Sequence, residues 1–243
     1  MLTFIISYIF FVLWAWLQNT YLHRSLSHKQ LEFHPIMVQI IKIVAWMSQR
    51  RYYTDWGKVW VAVHRMHHAY TDTDKDPHSP HHKSFTDILF LKRRRLTNEE
   101  IESWTKDVKI TVTKLDKLME KLPIGPVVFL VIMVSLFSWI GFLIWLACIN
   151  SHYLITSFNY VTHGKIPGYT NSPNAKSDKS KNIPYLVFAY LGEDLHANHH
   201  KWPTSANMAV RWWEVDFGYW ILKFLSLFGL VTFNKTALLE KTI

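Results

Sequence analysis

Formal charge disappears from two long stretches of the chain. Residues 1–22 contain no Asp, Glu, Lys or Arg, and neither do residues 122–164. A helix needs about 20 apolar residues to cross a bilayer, so the first stretch is long enough for one span and the second for two. The pattern predicts spans near 1–22, 123–141 and 142–162. The last two form a hairpin about a tight turn at Ser138 to Gly141, which returns both ends to one side. Residues 1–22 could also be read as a secretory signal. They have no basic leading region and no small-residue cleavage site, so an uncleaved span is the preferred reading. Two weaker apolar stretches predict helices near 31–48 and 217–233. The first carries Glu32, His34 and Lys42 and has Pro35 where a helix can start. The second carries only Lys223. Both suit helices that lie at the membrane interface or against the bundle rather than spans.

Polar segments fill the intervals. Residues 85–121 are highly charged, and Thr97-Asn98-Glu99-Glu100 has the form of a helix start. Residues 165–181 form a polar loop. The whole reads as an all-α, polytopic membrane helical bundle with a histidine-rich cytoplasmic cap, one domain over 1–243.

Composition supports a membrane setting and narrows the partners. The net charge is +9, from 27 basic and 18 acidic residues. The basic runs, such as Arg50-Arg51 and Lys92 to Arg95, flank apolar stretches as the positive-inside rule expects. That placement argues against nucleic acid and for membrane lipids, anionic headgroups or an acidic partner. Trp14, Trp16 and Tyr21 fall near one end of the first span, where interfacial aromatics gather. The single cysteine, Cys148, excludes an internal disulfide, a Cys-ligated iron–sulfur centre and a Cys-rich zinc site within the chain.

The histidines change the picture most. His64, His67 and His68 stand at i, i+3 and i+4, one face of a helix. His196, His199 and His200 repeat the spacing, and His23 and His28 form a looser pair, so eight of fourteen histidines lie in three boxes. His163 follows Asn159 by four. Imidazole is the commonest side-chain ligand for transition metals. One metal takes about four to six ligands, so nine imidazoles suit two metals. On an α-helix, residues five apart point about 140° apart, so His23 and His28 are expected to serve different metals. A closed zinc site would leave a surplus, which favours a redox metal with positions open to oxygen. His34, His81 and His82 read as surface or interfacial, and His152 as a core histidine.

His23-Arg-Ser-Leu-Ser-His28, His64-Arg-Met-His67-His68 and His196-Ala-Asn-His199-His200 resemble the three histidine boxes of the membrane fatty acid desaturases, above all the stearoyl-type Δ9 group and its bacterial relatives. Asp74-Lys75-Asp76-Pro77-His78 after the second box and Gly192-Glu193 before the third are similar too. So are Asn198 within the third box, the Asn159/His163 pair, and Arg211-Trp212-Trp213 with Asp216. The resemblance implies a diiron centre and O2 as co-substrate. Two hydrogens leave a saturated acyl chain, on CoA or on a lipid, and a cis double bond forms, at Δ9 in the nearest group. By position the ligands are His23, His28, His64, His67, His68, His163, His196, His199 and His200, with Asn159 acting through water and no catalytic side chain beyond them. Asp74, Asp76 and Glu193 are candidates to orient the imidazoles, and cap lysines and arginines to hold the headgroup.

No His-Pro-Gly-Gly haem segment is present, so electrons come from a separate ferredoxin- or cytochrome b5-type donor. In this family the first span helps close the acyl tunnel. Ser7, Phe11 and Trp14 share one face of it, and Phe11 is expected to limit chain length. The family usually has a further span before the first box. Here Met1 sits on the far side, or the start omits a helix. The site is expected to face the cytoplasm from a bacterial inner membrane, or from the endoplasmic reticulum in a eukaryote. Two alternatives remain open: a fatty acyl or lipid hydroxylase on the same scaffold, and a non-catalytic metal-binding membrane protein.

Overall fold

The computed structural model describes residues 2–48, 55–89 and 96–234. The basic runs Arg50-Arg51 and Lys92 to Arg95 lie outside them. Helix α1 (Leu2–Thr20) continues without a break into a π-helical turn, Tyr21–Ser27. Strand β1 (Leu31–Phe33) follows, then α2 (Pro35–Met47), whose first turn is capped by the His34 ring. Helix α3 (Asp55–Tyr70) carries the second box and ends in a loop before α4 (Phe85–Leu89). Helices α5 (Asn98–Thr105) and α6 (Lys114–Lys121) each open with a reciprocal capping box, Thr97 with Glu100 and Thr113 with Asp116. These boxes satisfy amides that the helix itself cannot.

The long uncharged stretch folds as the expected hairpin, but with unequal arms. Helix α7 (Gly125–Phe137) is followed after one residue by α8 (Trp139–Ile149) and, past Asn150, by α9 (Ser151–His163). The reversal falls on Ser138, which adopts φ 56°, ψ −137° and so ends α7 several residues earlier than a split at 141/142 implies. Gly141 makes the close return workable. A Cβ there would run into the backbone of Met133. Among the described residues one helix, Thr3–Ser27, is long and apolar enough to cross a membrane. Lys114–Lys121 with Gly125–Phe137, bent by 92°, and Trp139–Ile149 with Ser151–His163, bent by 43°, meet the same criteria only as bent pairs.

Beyond these lie α10 (Val187–Tyr190), α11 (His196–Lys201), α12 (Phe217–Ser226) and β2 (Val231–Phe233). The fold is mostly helical rather than all-α, because β1 and β2 pair antiparallel, Leu31 opposite Phe233. The helices expected near 31–48 and 217–233 each give up residues to this ribbon. Leu31 and Phe33 are buried around exposed Glu32, a period of two that suits a strand. Pro35 starts the helix only afterwards, and Gly229 at φ 69° turns the chain out of α12 into β2.

The ribbon closes one core with Trp16, Leu22, Ile41 and Leu222. A second core, Phe129, Met133, Ile144 and Cys148, binds the hairpin to α1, where Trp14 stacks on Phe129 at 4.4 Å. Helix α2 is tied to α6 by the buried pair of Lys42 Nζ and Asp116 Oδ2, 2.8 Å apart. His152 is half-buried against Tyr153 rather than in a core.

Candidate metal centre

All nine box and hairpin imidazoles converge, and they sort into two groups. His23, His28, His64, His68 and His199 form one. His67, His163, His196 and His200 form the other. Within each, one potential ligand atom per residue lies within 4.8 Å of all the rest. Helical spacing decides the sorting. In α3 the i, i+4 pair His64/His68 goes to the first group and His67 to the second. In α11 the pair His196/His200 goes to the second and His199 to the first. The second and third boxes therefore each serve both groups, in mirrored proportion. The groups adjoin: the rings of His68 and His200 are 4.3 Å apart.

His23 and His28 share a group, contrary to the expectation that they serve different metals. The reason is the π-helical turn. His28 N–H donates to His23 O at 3.1 Å, an i+5→i bond. This widened turn brings residues five apart onto one face.

Nitrogens face one another across both groups. The Nε2–Nε2 separations are 2.9 Å for His23–His199, 2.8 Å for His28–His64, 3.1 Å for His68–His199 and 3.1 Å for His196–His200. Two nitrogens about 2.1 Å from a shared ion and at right angles to each other lie about 3.0 Å apart. The donor set therefore fits metal ions. A further observation agrees: Nε2 of His67 and of His163 is buried with no hydrogen-bond partner, a state that burial makes costly unless a cation is there.

Carboxylates hold the opposite nitrogens. Nδ1 lies 2.7 Å from Glu193 Oε2 in His23, 2.8 Å from Asp76 Oδ2 in His67, 2.7 Å from Asp72 Oδ2 in His163 and 3.0 Å from Asp178 Oδ2 in His200. An Nδ1–H donated to a carboxylate fixes the tautomer and leaves Nε2 as the ligand. Burial alone would raise these carboxyls. The hydrogen-bonded imidazoles outweigh it and hold Asp72, Asp76 and Asp178 below the usual carboxylate range. Arg24 and His23 likewise outweigh burial and bring Glu193 down to about 2. Burial, and after it neighbouring imidazoles, lower His28, His64, His68, His196 and His199 well below the ordinary histidine value. Burial brings His200 to about 4 against the opposing bond to Asp178. All six are neutral near pH 7, the form that ligates.

The frame around them is polar and buried. Arg24 Nε donates to Glu193 Oε1 at 2.7 Å, and its other end reaches Asp216 at 3.2 Å and the Ala206 carbonyl at 2.7 Å. Asp216 in turn caps α12 through Tyr219 N. Gly192, at φ 106°, has Asp216 where a Cβ would stand. Asn198 donates to Met208 O and Glu214 Oε2 and accepts from Asn182, which fixes α11.

Two clefts lie beside the clusters, and one of them is lined by histidines. One of about 700 Å³, open to solvent, reaches His23, His64 and His196 and has Trp60, Val63, Ile88, Ile155 and Phe158 as apolar wall, with Lys83 and Asp87 also on it. The other, about 350 Å³, runs past Ala15, Trp16, Leu154 and Tyr190. Asn19, Ile155 and Phe158 line both and so divide them. Phe11 lines neither.

Residues 1–232 match the sequence model of the fatty acid desaturase family. The chain belongs to the fatty acid desaturase family. Among curated desaturases and their kin, it is 26% identical to Delta-9 acyl-lipid desaturase 1 of Arabidopsis thaliana, over 86% of this chain and 68% of the relative. It is 28% identical to hex-5-enoyl-[acyl-carrier protein] acetylenase of Moorena producens, over 86% and 70%. It is 27% identical to sn-1 stearoyl-lipid 9-desaturase of Synechocystis, over 86% and 64%. Lipid metabolism and metal binding follow from the family and the clusters together.

Of the positions that the desaturase resemblance singled out, all nine histidines come together. Asn159 is buried on α9 one turn before His163, and its Nδ2 lies 3.0 Å from both ring nitrogens of His78. Asp76 and Glu193 orient imidazoles as expected. Asp74 is exposed and orients none. Asp72 and Asp178 do so instead, unforeseen. Asp72 sat in plain view beside Asp74, whereas nothing in the polar loop around Asp178 points to His200.

Proposed function

We propose that the chain is a membrane-bound, O2-dependent diiron desaturase that introduces a cis double bond, at Δ9, into a saturated fatty acyl chain. The observation that carries this reading is the pair of imidazole clusters, Nδ1-anchored by carboxylates, opening onto an apolar cleft. His23, His28, His64, His68 and His199 would hold one iron. His67, His163, His196 and His200 would hold the other, with Asn159 acting through water. Bound iron supplies the oxygen activation needed to break an unactivated C–H bond, which no side chain can do. The protein's part is placement. Glu193, Asp72, Asp76 and Asp178 keep the inward nitrogens unprotonated. Trp60, Val63, Ile155 and Phe158 hold the acyl chain and keep water from it, so that one C–H bond stands nearest the reacting centre. Lys83, at the cleft, offers charge to an anionic headgroup.

The helix Thr3–Ser27 and the hairpin would sit in the bilayer, with α3, α11 and their loops forming a cap on the cytoplasmic side. The whole of 1–243 acts as one desaturase domain, supplied by a separate ferredoxin- or cytochrome b5-type donor. The names of two relatives support Δ9 chemistry on a lipid-linked chain, and an acyl-CoA is the competing carrier. Expression with such a donor in cells lacking Δ9 unsaturation, followed by mass spectrometry of lipids and acyl-CoAs, tests all of this. A new monounsaturated chain is expected. A hydroxylated product would make the protein a hydroxylase. No acyl product despite bound iron would leave a metal-binding protein.

A further inference from the structure

The two clusters differ in the charge behind them. In the four-imidazole cluster, His67, His163 and His200 each lean on a buried carboxylate, Asp76, Asp72 and Asp178. Among the described residues, none of these three carboxylates forms an ion pair with Lys or Arg. Their other partners are neutral: Ser79 Oγ and Lys179 N for Asp72, Asp72 N and His78 N for Asp76, and Ser180 N for Asp178. A neutral donor shares a charge without cancelling it. In the five-imidazole cluster, among the described residues, only His23 has a carboxylate behind it. That carboxylate, Glu193, is already paired through its other oxygen to the buried Arg24 at 2.7 Å. Three carboxylates with no cation beside them stand behind one cluster, whereas behind the other Glu193 and Asp216 share the single Arg24 guanidinium, which leaves one net negative charge. The fifth imidazole does not redress this, because it is neutral.

Buried charges are poorly screened, by salt or by water. A carboxylate hydrogen-bonded to a ligand imidazole also makes that imidazole a stronger donor. Both effects stabilise the more positive metal. Resting on the two-iron reading above, we infer that the iron positions are electrostatically unequal. The position among His67, His163, His196 and His200 favours the ferric state. The position among His23, His28, His64, His68 and His199 is the first to be reduced. With iron bound, each ferric ion would take one electron from a one-electron donor and become ferrous, with no bond made or broken, so the donor's first electron would have a defined destination.

The test is a stepwise dithionite titration of the intact protein loaded with 57Fe, followed by Mössbauer spectroscopy. Two quadrupole doublets are expected to convert in sequence, with most of the ferrous iron in one of them at one electron per pair. Asp76→Asn and Asp178→Asn, made separately, should bring the later doublet forward and leave the earlier one in place. Each should also release one iron of the two to a chelator about 10–100-fold more readily. Glu193→Gln should disturb only the earlier doublet. If one aspartate variant does not fold, the other carries the comparison. Doublets that convert together, or an order and spacing unchanged in the aspartate variants, would overturn the inference. Fewer than two irons per chain by elemental analysis would overturn the two-iron reading and this inference with it.

Discussion

Phe158 stands between two clefts, one lined by the histidines and the other running past Trp16 and Tyr190. Its ring packs edge-on to His196 at 4.7 Å between centroids, and it lines both cavities. It is better placed than Phe11 to set where an acyl chain stops. Phe158→Ala joins the clefts, so longer acyl chains should be accepted at the expense of the wild type's preferred length. Product profiles on mixed-length substrates measure the shift, and an unchanged profile would remove Phe158 from that role. At this scale the ligands were legible and their supports only in part. The boxes could be read because i, i+3, i+4 spacing is local. The bonds from Asp72 to His163 and from Asp178 to His200 span 91 and 22 residues, and only the folded chain joins them. The sorting of the second and third boxes between two clusters was equally hidden. It depends on where α3 and α11 face each other, which neither helix encodes alone.

Among the elements, the uncharged stretches announced their helices and not their ends. The hairpin was legible as 43 residues without charge. Its turn is set by one serine in a backbone region that favours glycine, and by a glycine three residues later. Gly141→Ala would drive a methyl group into the Met133 backbone, which cannot step aside as a side chain can. Separating α7 from α8 should cost about 1–3 kcal/mol. At roughly 2–4 °C per kcal/mol for a chain of this size, the melting temperature in detergent should fall by several degrees. A melting point equal to wild type would mean that the hairpin is looser than its geometry implies. The ribbon of β1 and β2 was not legible. Each strand is three residues long, and each is fixed by the other from the opposite end of the chain.

Across the whole molecule, the cluster sets how stability depends on pH. The folded values of His28, His64, His68, His196, His199 and His200 lie below the ordinary value of about 6.5. Below that pH the unfolded chain binds protons that the folded chain refuses. Stability is therefore fully present above about pH 6.5 and is lost as pH falls. The depressed carboxylates add to the loss further down, below about pH 4.5, with the same sign. Melting temperatures of metal-free protein should hold level from pH 8 to 7 and drop steeply between pH 6.5 and 5. Bound metal should extend the plateau to lower pH, because it competes with protons for the same nitrogens. A flat profile through pH 5 would mean that the imidazoles are not buried together. Family and cluster were readable at this scale because ligand chemistry is dense in a few short motifs. The asymmetry of charge behind the two clusters was not, since it depends on which carboxylate finds Arg24.

The π-helical turn at Tyr21–Ser27 is, in topological terms, one extra residue absorbed by a helix whose flanks stay in place. Removing one residue between His23 and His28 would leave them four apart, a separation that an ordinary helical turn also stacks on one face. Adding one would leave them six apart, about 120° apart on an α-helical turn and wider still on a π-helical one. The first box should therefore tolerate contraction and not expansion. If the proposed two irons are bound, deleting Ser25 should keep iron near two per chain, while inserting an alanine after Ser25 should lose the one that His23 and His28 would help to hold. Helix type and loop length can thus trade against each other at this box, which frees the count between its histidines to drift by one without moving the metal.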